Sequence, residues 1–409
     1  MPGATIDHLV AFTIFLAALL LFTTLFTQNL QTAILYQRSQ QVDIEASTLL
    51  DSISLNTGYQ ANWGATNSTP TSFGLQDPVE GGYTISAFSL MRLSSSTGTS
   101  VFYPCTGLWY SNVTMAPGGF MFAPFNRVVN YTTATKLLGV NGSYGFQLTI
   151  VPTLNVSMTE LTANPLQIRV TVKGPGLPLA NAYLTCDLIY AKNSPSFQML
   201  TKTARTYADG SAILNFSINA SQYAYALIVN ANLGGLYGVG YLEQSNIGNN
   251  KIIPMVQSFN DGDGTGRILL AHSYDLHNFP NPEPLNFTAT FPVLGTNVLL
   301  QPVLIGNGTA TGQVNPGHSQ YSEVRIPNTN PGVLVVTYSN GSQSGISLLP
   351  WGIGSLGVRL VYGNNPPSND WVATDVRQVM VAGESYQIKI ALWSLAGIQI
   401  QGPGGSVGT

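Results

Sequence analysis

The N-terminal part of the chain carries one long helical pattern that begins apolar. Residues 9–26 form an eighteen-residue run without a charged side chain. A helix rises about 1.5 Å per residue and a bilayer core is roughly 30 Å thick, so this run is long enough to span it. A removed secretory signal is the alternative. Such a signal has a basic start and a small-residue cleavage site, whereas the first basic residue here is Arg38. The pattern therefore predicts a retained transmembrane helix.

Beyond residue 26 the apolar positions continue at a spacing of three to four, which predicts that the same helix extends outside the membrane. Asn56 and Gly58 provide a C-terminal stop, so we assign residues 1–58 to one membrane-spanning and extended helix. Its outer stripe packs on the rest of the chain, on copies of the same chain, or on both. The stripe consists of Leu30, Ile34, Val42, Ala46, Leu49 and Ile53.

The rest of the chain is patterned as strands separated by Gly, Pro and Asn-Gly turns. The predicted fold class is therefore mainly β, with a long N-terminal transmembrane and amphipathic α-helix followed by β-sandwich domains. Residues 59–159 are a β-rich head region, and residues 160–245 alternate like an immunoglobulin-like (Ig-like) β-sandwich. Residues 246–401 form a C-terminal β domain that ends in a hairpin turning at Ala382-Gly383, and residues 402–409 form a flexible tail. Alternatively, residues 60–160 and 246–400 form one composite domain with the Ig-like module inserted.

Composition favours an exported protein. Charged residues make up 8% of the chain, against roughly 25% in ordinary soluble domains. The net charge is −3, and no basic stripe is present. The chain therefore lacks the electrostatic signature of a nucleic-acid-binding protein.

Acceptor motifs for N-glycosylation, Asn-x-Ser/Thr, all lie after the predicted helix, which predicts that the C-terminal body is outside the cell. Asn141-Gly142 and Asn340-Gly341 are expected at hairpin turns, and Asn215 and Asn286 on the polar side of alternating strands. The acceptors are Asn67, Asn112, Asn130, Asn141, Asn155, Asn215, Asn219, Asn286, Asn307 and Asn340.

The two cysteines, Cys105 and Cys186, are too few for a disulfide framework. Cys186 alternates with Leu184, Leu188 and Tyr190, so it is expected to point into a core. We expect two separate thiols, with a single structural disulfide as the alternative in an oxidising location.

One segment resembles a calcium loop, because Asp261, Asp263 and Thr265 stand at alternate positions. The twelfth position of such a loop needs a bidentate Glu, and here it is His272. A hairpin turn is therefore the favoured interpretation, and a weak calcium site at Asp261, Asp263 and Thr265 is the alternative. We expect no other metal site.

Catalytic motifs are absent from the sequence. There is no nucleophile elbow, no Cys beside a His, and no phosphate-binding or dinucleotide-binding glycine loop. We therefore expect neither an enzyme nor a cofactor, and an anchored exoenzyme is only the third hypothesis.

The start of the chain, Met1-Pro-Gly3 followed by Ala4-Thr-Ile-Asp-His8 and the apolar run, resembles an archaeal class III signal segment. In that family a prepilin-type peptidase cuts after a Gly and leaves the apolar helix attached. The stretch from Leu49-Leu50-Asp51 through Asn56-Thr-Gly58-Tyr59 to Asn62-Trp63-Gly64 also resembles the segment after the helix in archaeal type IV pilin-like proteins. The resemblance implies processing between Gly3 and Ala4.

The resemblance also implies a function. In a pilin-like protein the apolar helices leave the bilayer and pack on each other as a filament core, while the β heads form the outer sheath. We therefore expect a cell-surface structural or adhesive subunit, a minor pilin or tip adhesin, that associates with itself or with other pilin-like subunits through this helix. The alternative is a membrane-anchored surface glycoprotein with Ig-like domains that does not polymerise.

Overall fold

The computed structural model describes residues 3–93, 100–114, 120–277, 283–295, 298–312, 321–328, 330–368 and 371–395. The fold is mainly β, as predicted, and the tail at residues 402–409 lies outside the described residues. The α-helices are α1 (Gly3–Ser54), α2 (Ala87–Met91), α3 (Tyr131–Leu137) and α4 (Ser273–His277), and 3-10 turns cover Trp63–Ala65, Phe125–Arg127 and Ala220–Gln222.

The strands of the N-terminal region are β1 (Thr84–Ile85), β2 (Val101–Tyr103), β3 (Leu108–Thr114), β4 (Phe120–Pro124) and β5 (Tyr144–Pro152). Those of the middle region are β6 (Asn155–Ala163), β7 (Leu166–Lys173), β8 (Tyr183–Ala191), β9 (Phe197–Arg205), β10 (Ser211–Phe216), β11 (Ala224–Leu233) and β12 (Leu236–Gln244). The next seven are β13 (Ile252–Ser258), β14 (Thr265–His272), β15 (Leu285–Gly295), β16 (Val298–Ala310), β17 (Ser322–Pro327), β18 (Gly332–Ser339) and β19 (Ser344–Trp351). The last three are β20 (Leu360–Gly363), β21 (Ala373–Val381) and β22 (Glu384–Ser394).

Helix α1 is a single element that ends at Ser54, four residues before the predicted boundary at residue 58. The side chain of Asn56 accepts a hydrogen bond of 2.8 Å from the Gly58 amide, and Gly58 has a φ of 75°. Such a positive φ suits glycine and lets the chain leave the helix axis. At about 1.5 Å per residue the helix is roughly 78 Å long, which is more than twice the thickness of a bilayer core.

The helix packs on a five-stranded sheet with the order β1-β21-β22-β5-β20. Strand β5 comes from the predicted head region, whereas β20, β21 and β22 come from the predicted C-terminal domain. In the centre of the sheet Phe146 faces Leu392 and Ile150 faces Ile388. These segments share one hydrophobic core with the end of α1. The head is therefore one domain built from two separate parts of the chain. The segment between β5 and β20 is inserted into this domain.

The first inserted unit is an Ig-like sandwich formed by β6 to β12. Its sheets have the orders β10-β7-β6 and β12-β11-β8-β9. If these strands are lettered A, B, C, C′, E, F and G, one sheet contains A, B and E and the other C′, C, F and G, an Ig-like arrangement. The unit begins at Asn155, so the boundary expected between residues 159 and 160 falls within β6. Cys186 is buried in the sandwich core, as predicted.

The second inserted unit repeats this arrangement, and the sequence reading did not distinguish it. Strands β13 to β19 form sheets with the orders β13-β14-β17 and β16-β15-β18-β19. Chain order and sheet membership are those of the first sandwich, strand for strand. A small third sheet, β2-β3-β4, packs beside β13. The inserted part of the chain is therefore two consecutive Ig-like sandwiches.

A buried arginine fixes the segment that connects the helix to the head. The Arg92 side chain is 1% exposed and donates hydrogen bonds to the carbonyl oxygens of Trp63, Ser68 (2.7 Å) and Arg127 (2.8 Å). Its guanidinium also lies 5.5 Å from the centre of the Trp63 ring. Burial lowers the pKa of Arg92 to about 10, and the nearby charge of Arg127 contributes to the lowering.

Candidate anchoring and assembly helix

Helix α1 has two parts with opposite environments. Every residue from 7 to 38 is exposed to solvent. The segment Asp7–Ser54 is long and apolar enough to cross a membrane, with a mean hydropathy of 2.6 in its most apolar window and none of that window buried. Exposed apolar surface on this scale marks a membrane-embedded or interaction segment. The structure therefore contains an N-terminal apolar helix that could anchor the chain.

Threonine side chains in the exposed part of α1 form their hydrogen bonds within the helix. The hydroxyls of Thr23 and Thr24 donate to the carbonyl oxygens four residues earlier. Thr27 donates to Thr23 at 2.7 Å, and Thr32 donates to Gln28 at 2.9 Å. These four hydroxyls therefore need no water, which is the requirement for a helix in lipid or in a dry helix bundle.

The outer part of the helix is docked on the head. Val42, Ala46, Leu49 and Ile53 of the predicted stripe are buried, together with Leu50. Leu30 and Ile34, the first two members of the stripe, are 47% and 49% exposed. The stripe therefore packs on the body of the chain only in its last four members. The protein itself leaves the first two without a covering surface.

An ion pair holds the docked part in its orientation. Arg377 on β21 places its Nε 3.0 Å from Oδ1 of Asp51, and its Nη2 donates to the Ser47 hydroxyl at 3.1 Å. A second carboxylate, Asp375, lies 2.6 Å from Nη1 of the same arginine. Together with the buried residues of the apolar stripe, these contacts hold the end of α1 against the five-stranded sheet.

Gly3 and Ala4, the residues of the expected processing site, lie in the first turn of α1. They precede the exposed apolar stretch. The only titratable residues between them and Arg38 are Asp7, His8 and Tyr36. Residues 9–37 thus contain no Asp, Glu, Lys or Arg.

The glycosylation acceptors occupy different surroundings. Asn130, Asn141, Asn155, Asn215, Asn286 and Asn307 are exposed, and Asn219 and Asn340 are half-buried. Asn215 and Asn286 lie between buried neighbours in their strands, as predicted. Asn340 is at the turn between β18 and β19 as expected, whereas Asn141 lies between α3 and β5, so its expected hairpin is wrong. The side chain of Asn112 is outside the described residues.

Asn67 is an exception among the acceptors, because its amide is part of the packing. Its Nδ2 donates to Ser258 at 3.0 Å and to the carbonyl oxygen of Asn260, and its Oδ1 accepts from the Phe259 amide at 3.1 Å. The nitrogen that would carry a sugar is therefore occupied in a contact between the head and the second sandwich.

The segment that resembles a calcium loop is the turn of the hairpin between β13 and β14. Asp261 lies 2.6 Å from the Arg267 guanidinium, and Asp263 lies 2.5 Å from that of Arg325. Thr265 donates its hydroxyl to Asp263 at 2.6 Å. Both carboxylates are thus neutralised by arginines. Within the described residues no three His, Cys, Asp or Glu side chains are grouped as a metal site.

Neither cysteine has the surroundings of a nucleophile. Both lie in the described part of the chain, and no disulfide joins them. Burial raises the pKa of Cys186 to about 12, and it also raises the pKa of Cys105. Both groups remain thiols near neutral pH, and the thiol form is weakly reactive.

Several buried carboxyl groups were not singled out by the sequence. Burial raises the pKa of Glu384, the first residue of β22, to about 8 and that of Asp275 to about 6. Asp275 also has the Tyr103 hydroxyl as a neighbour, which opposes the shift. Alternation could have indicated the burial of Glu384, because it stands two residues before the core residue Tyr386 in the same strand.

No protein-family model and no curated protein matches the chain. Among solved structures, it aligns with a red sea bream transglutaminase at 13% identity over 60% of this chain and 37% of that one, with a TM-score of 0.17. A two-domain fibronectin type III segment of chicken tenascin aligns at 14% identity over 49% of this chain and 99% of that one (TM-score 0.16). A Salmonella alpha-2-macroglobulin mutant aligns at 11% identity over 66% of this chain and 19% of that one (TM-score 0.21). The chain thus spans only about a third of the transglutaminase. Alignments this weak establish neither a family nor an activity, and the assignment of the Ig-like fold rests on the strand pairing.

Proposed function

We propose that this chain is a pilin-like cell-surface subunit, with a structural or adhesive role, that is anchored and then polymerised through helix α1. The observation that carries the proposal is the division of that helix. Residues 7–38 are exposed and include the uncharged, mainly apolar run at 9–26, while Val42 to Ile53 are docked on the five-stranded sheet. A protein that needed only an anchor could use a flexible linker, whereas a docked helix fixes the direction in which the exposed half projects.

The exposed half suits both environments that polymerisation requires. In the bilayer its apolar side chains face lipid, and its threonine hydroxyls are satisfied internally. Small residues such as Ala11, Ala17 and Ala18 would allow close approach of neighbouring helices. In a filament the partners would be copies of this chain or other pilin-like subunits, and the two sandwiches would lie outside the helical core. The exposed glycosylation acceptors suit such an extracellular surface.

Processing is part of the proposal. Cleavage between Gly3 and Ala4 would leave a mature chain that starts at the first turn of α1. N-terminal sequencing of the protein from its native cells tests this step directly. We expect a start at Ala4, and an intact Met1 would contradict prepilin-type processing.

Filament formation is tested by changing the packing surface of the helix while keeping the helix apolar. In the variant, residues 9–26 are all replaced by leucine, which preserves membrane insertion but removes the small residues and the residue-specific shape of the surface. We expect wild-type cells to carry filaments that an antibody to the body labels, and variant cells to retain the protein in the membrane without filaments. A conservative control, Ala17→Val, keeps most of the surface and should still assemble.

A non-polymerising surface glycoprotein is the second candidate, and the two Ig-like sandwiches favour it, since such modules are common in surface proteins. It predicts that the wild-type protein is found only in the membrane fraction and that the all-leucine variant behaves identically. Absence of labelled filaments in wild-type cells would therefore reject polymerisation and leave the anchored form.

A further inference from the structure

The two sandwiches share a buried interface. Strand β11 is buried on both faces. Tyr225, Leu227 and Val229 line the core of the first sandwich, whereas Ala224, Ala226 and Ile228 belong to the core that includes the second sandwich. A sheet that is covered on both faces behaves as an interior layer, because neither face is solvated. The two sandwiches are thus joined by packing as well as by the chain.

Side chains at the end of β12 complete this interface by hydrogen-bonding the edge of β19. Glu243 Oε2 accepts from the Leu348 amide at 3.2 Å, and Ser245 Oγ accepts from the Ile346 amide at 3.0 Å. Asn246 Oδ1 accepts from the Ser344 amide at 3.0 Å. These three amides are at alternate positions along an edge strand. The side chains therefore take the place of the neighbouring strand that β19 lacks, and we call this group the joint.

The joint contains a carboxyl group without a cationic partner. All 15 Lys and Arg side chains of the chain are described, and none forms an ion pair with Glu243. Lys251 lies near enough to act on Glu243 electrostatically, and the Tyr338 hydroxyl also faces it. Asp187 on β8, which is 1% exposed, lies on the same face of the sheet and accepts a hydrogen bond of 2.6 Å from Thr201.

We propose that this joint is a pH-sensitive contact, closed while Glu243 is a neutral acid and loosened when Glu243 ionises. A neutral carboxyl group satisfies the Leu348 amide through its carbonyl oxygen and buries no charge. An ionised one would be stabilised there by that amide and by the nearby charge of Lys251, which forms no ion pair with it, and these do not offset the loss of its hydration.

The pKa shifts agree with this direction. Burial raises the pKa of Glu243 from 4.5 to about 7, although the Leu348 amide and Lys251 oppose the shift. Burial also raises the pKa of Asp187. A group whose pKa is raised in the closed form contributes stability that is complete below its open-form pKa and is lost as the pH rises through the closed-form value. The joint is therefore most stable in acid and weakens up to about pH 7.

Hydrogen exchange on the full chain in detergent tests the proposal. The protection of the β19 amides, corrected for the intrinsic effect of pH on exchange, should fall by roughly tenfold or more between pH 5 and pH 8, since each unit of pKa shift changes the opening equilibrium tenfold. Strand β7, in the core of the first sandwich, provides an internal reference and should change much less. Equal protection of β19 at both pH values, or an equal loss in β7, would overturn the proposal.

A conservative variant identifies the group responsible. Glu243→Gln keeps the shape and the acceptor oxygen but cannot ionise, so most of the loss of β19 protection between pH 5 and pH 8 should disappear. Glu80→Gln, an exposed residue in a loop of the head, is the matched control and should behave like the wild type. If Glu243→Gln loses protection with rising pH as the wild type does, Glu243 is not the switch. Should the variant not fold, the wild-type comparison of β19 with β7 still decides the matter.

Discussion

The docking of helix α1 on the five-stranded sheet can be tested with two isoleucines of the same helix. Ile53 is fully buried against the sheet, and its carbonyl oxygen accepts a hydrogen bond of 2.8 Å from the Leu75 amide. Ile44, nine residues earlier, is 65% exposed. Replacing a buried isoleucine by alanine costs about 2–5 kcal/mol, because apolar contacts are lost and a cavity is left. Ile53→Ala should therefore lower the free energy of opening of the docked segment by about 2–5 kcal/mol.

Ile44→Ala is the matched control, because both substitutions raise helix propensity by the same few tenths of a kcal/mol. The difference between the two variants thus isolates the packing. The assay is amide hydrogen exchange over residues 42–54 of the full chain in detergent, which reports the free energy of local opening. We expect much faster exchange in Ile53→Ala and wild-type exchange in Ile44→Ala. Equal rates in the two variants would mean that the helix is not docked on the sheet. The description of α1 as an exposed part followed by a docked part would then be wrong.

Three further predictions concern the body. Arg92→Met keeps the aliphatic stem but removes three charge-assisted hydrogen bonds to carbonyl oxygens, one buried and two part-buried. We expect a loss of roughly 3 kcal/mol in the free energy of unfolding by urea, at about 1 kcal/mol per bond. Gly240→Ala should destabilise the first sandwich, seen as a lower melting temperature, because a Cβ there would overlap the carbonyl oxygen of Val156 where β12 crosses β6. Glu384→Gln should flatten the pH dependence of stability. The pKa of Glu384 is raised from its ordinary value of 4.5 to about 8 in the folded chain. Between these two pH values the wild type should therefore lose about 1.4 kcal/mol of unfolding free energy per pH unit, and the variant should not.

Each of these variants has a control that changes the same chemistry in another environment. Arg169 is exposed, so Arg169→Met should leave stability nearly unchanged. A Cβ at Gly174 would lie 3.5 Å from Leu179, an ordinary contact, so Gly174→Ala should be tolerated. Glu80→Gln should keep the wild-type pH profile. If any control matched its test variant, the explanation by burial or close approach would be incorrect.

The local features of the fold could be predicted from the sequence. The end of α1 follows from Asn56 and Gly58, which have local signatures that do not depend on the rest of the chain. The last hairpin turns at Ala382 and Gly383, whose φ angles of 53° and 81° are those of a tight turn. Cys186 alternates with large apolar residues, and its burial followed from that alternation. In each case the signal lies within a few residues of the feature that it specifies.

The long-range features could not be predicted in the same way. Phe146 pairs with Leu392 across the sheet, and no local pattern in either segment indicates a partner so distant in the chain. The second sandwich was missed because its strands read individually like those of any antiparallel sheet. The burial of both faces of strand β11 could not be predicted either. It depends on the second sandwich, which covers one face of the strand, and the residues of β11 do not indicate that partner.

In the candidate site, too, local features could be predicted from the sequence and long-range features could not. The apolar run predicted a helix of spanning length from composition alone. However, Leu30 and Ile34 have the same spacing as Val42 and Ala46, and only the folded chain shows that the first pair is uncovered. The position of Glu243 against an edge strand likewise depends on how two sandwiches meet.

Strands β5 and β20 are hydrogen-bonded neighbours, with Ile150 opposite Leu360. The chain therefore departs from the head and returns to it at adjacent points, and a turn of a few residues would suffice to close the gap. A lineage could lengthen, exchange or delete the intervening modules without rerouting the rest of the polypeptide. The same geometry suits protein engineering, because a foreign domain with closely spaced termini could be inserted between β5 and β20 without a change in helix α1.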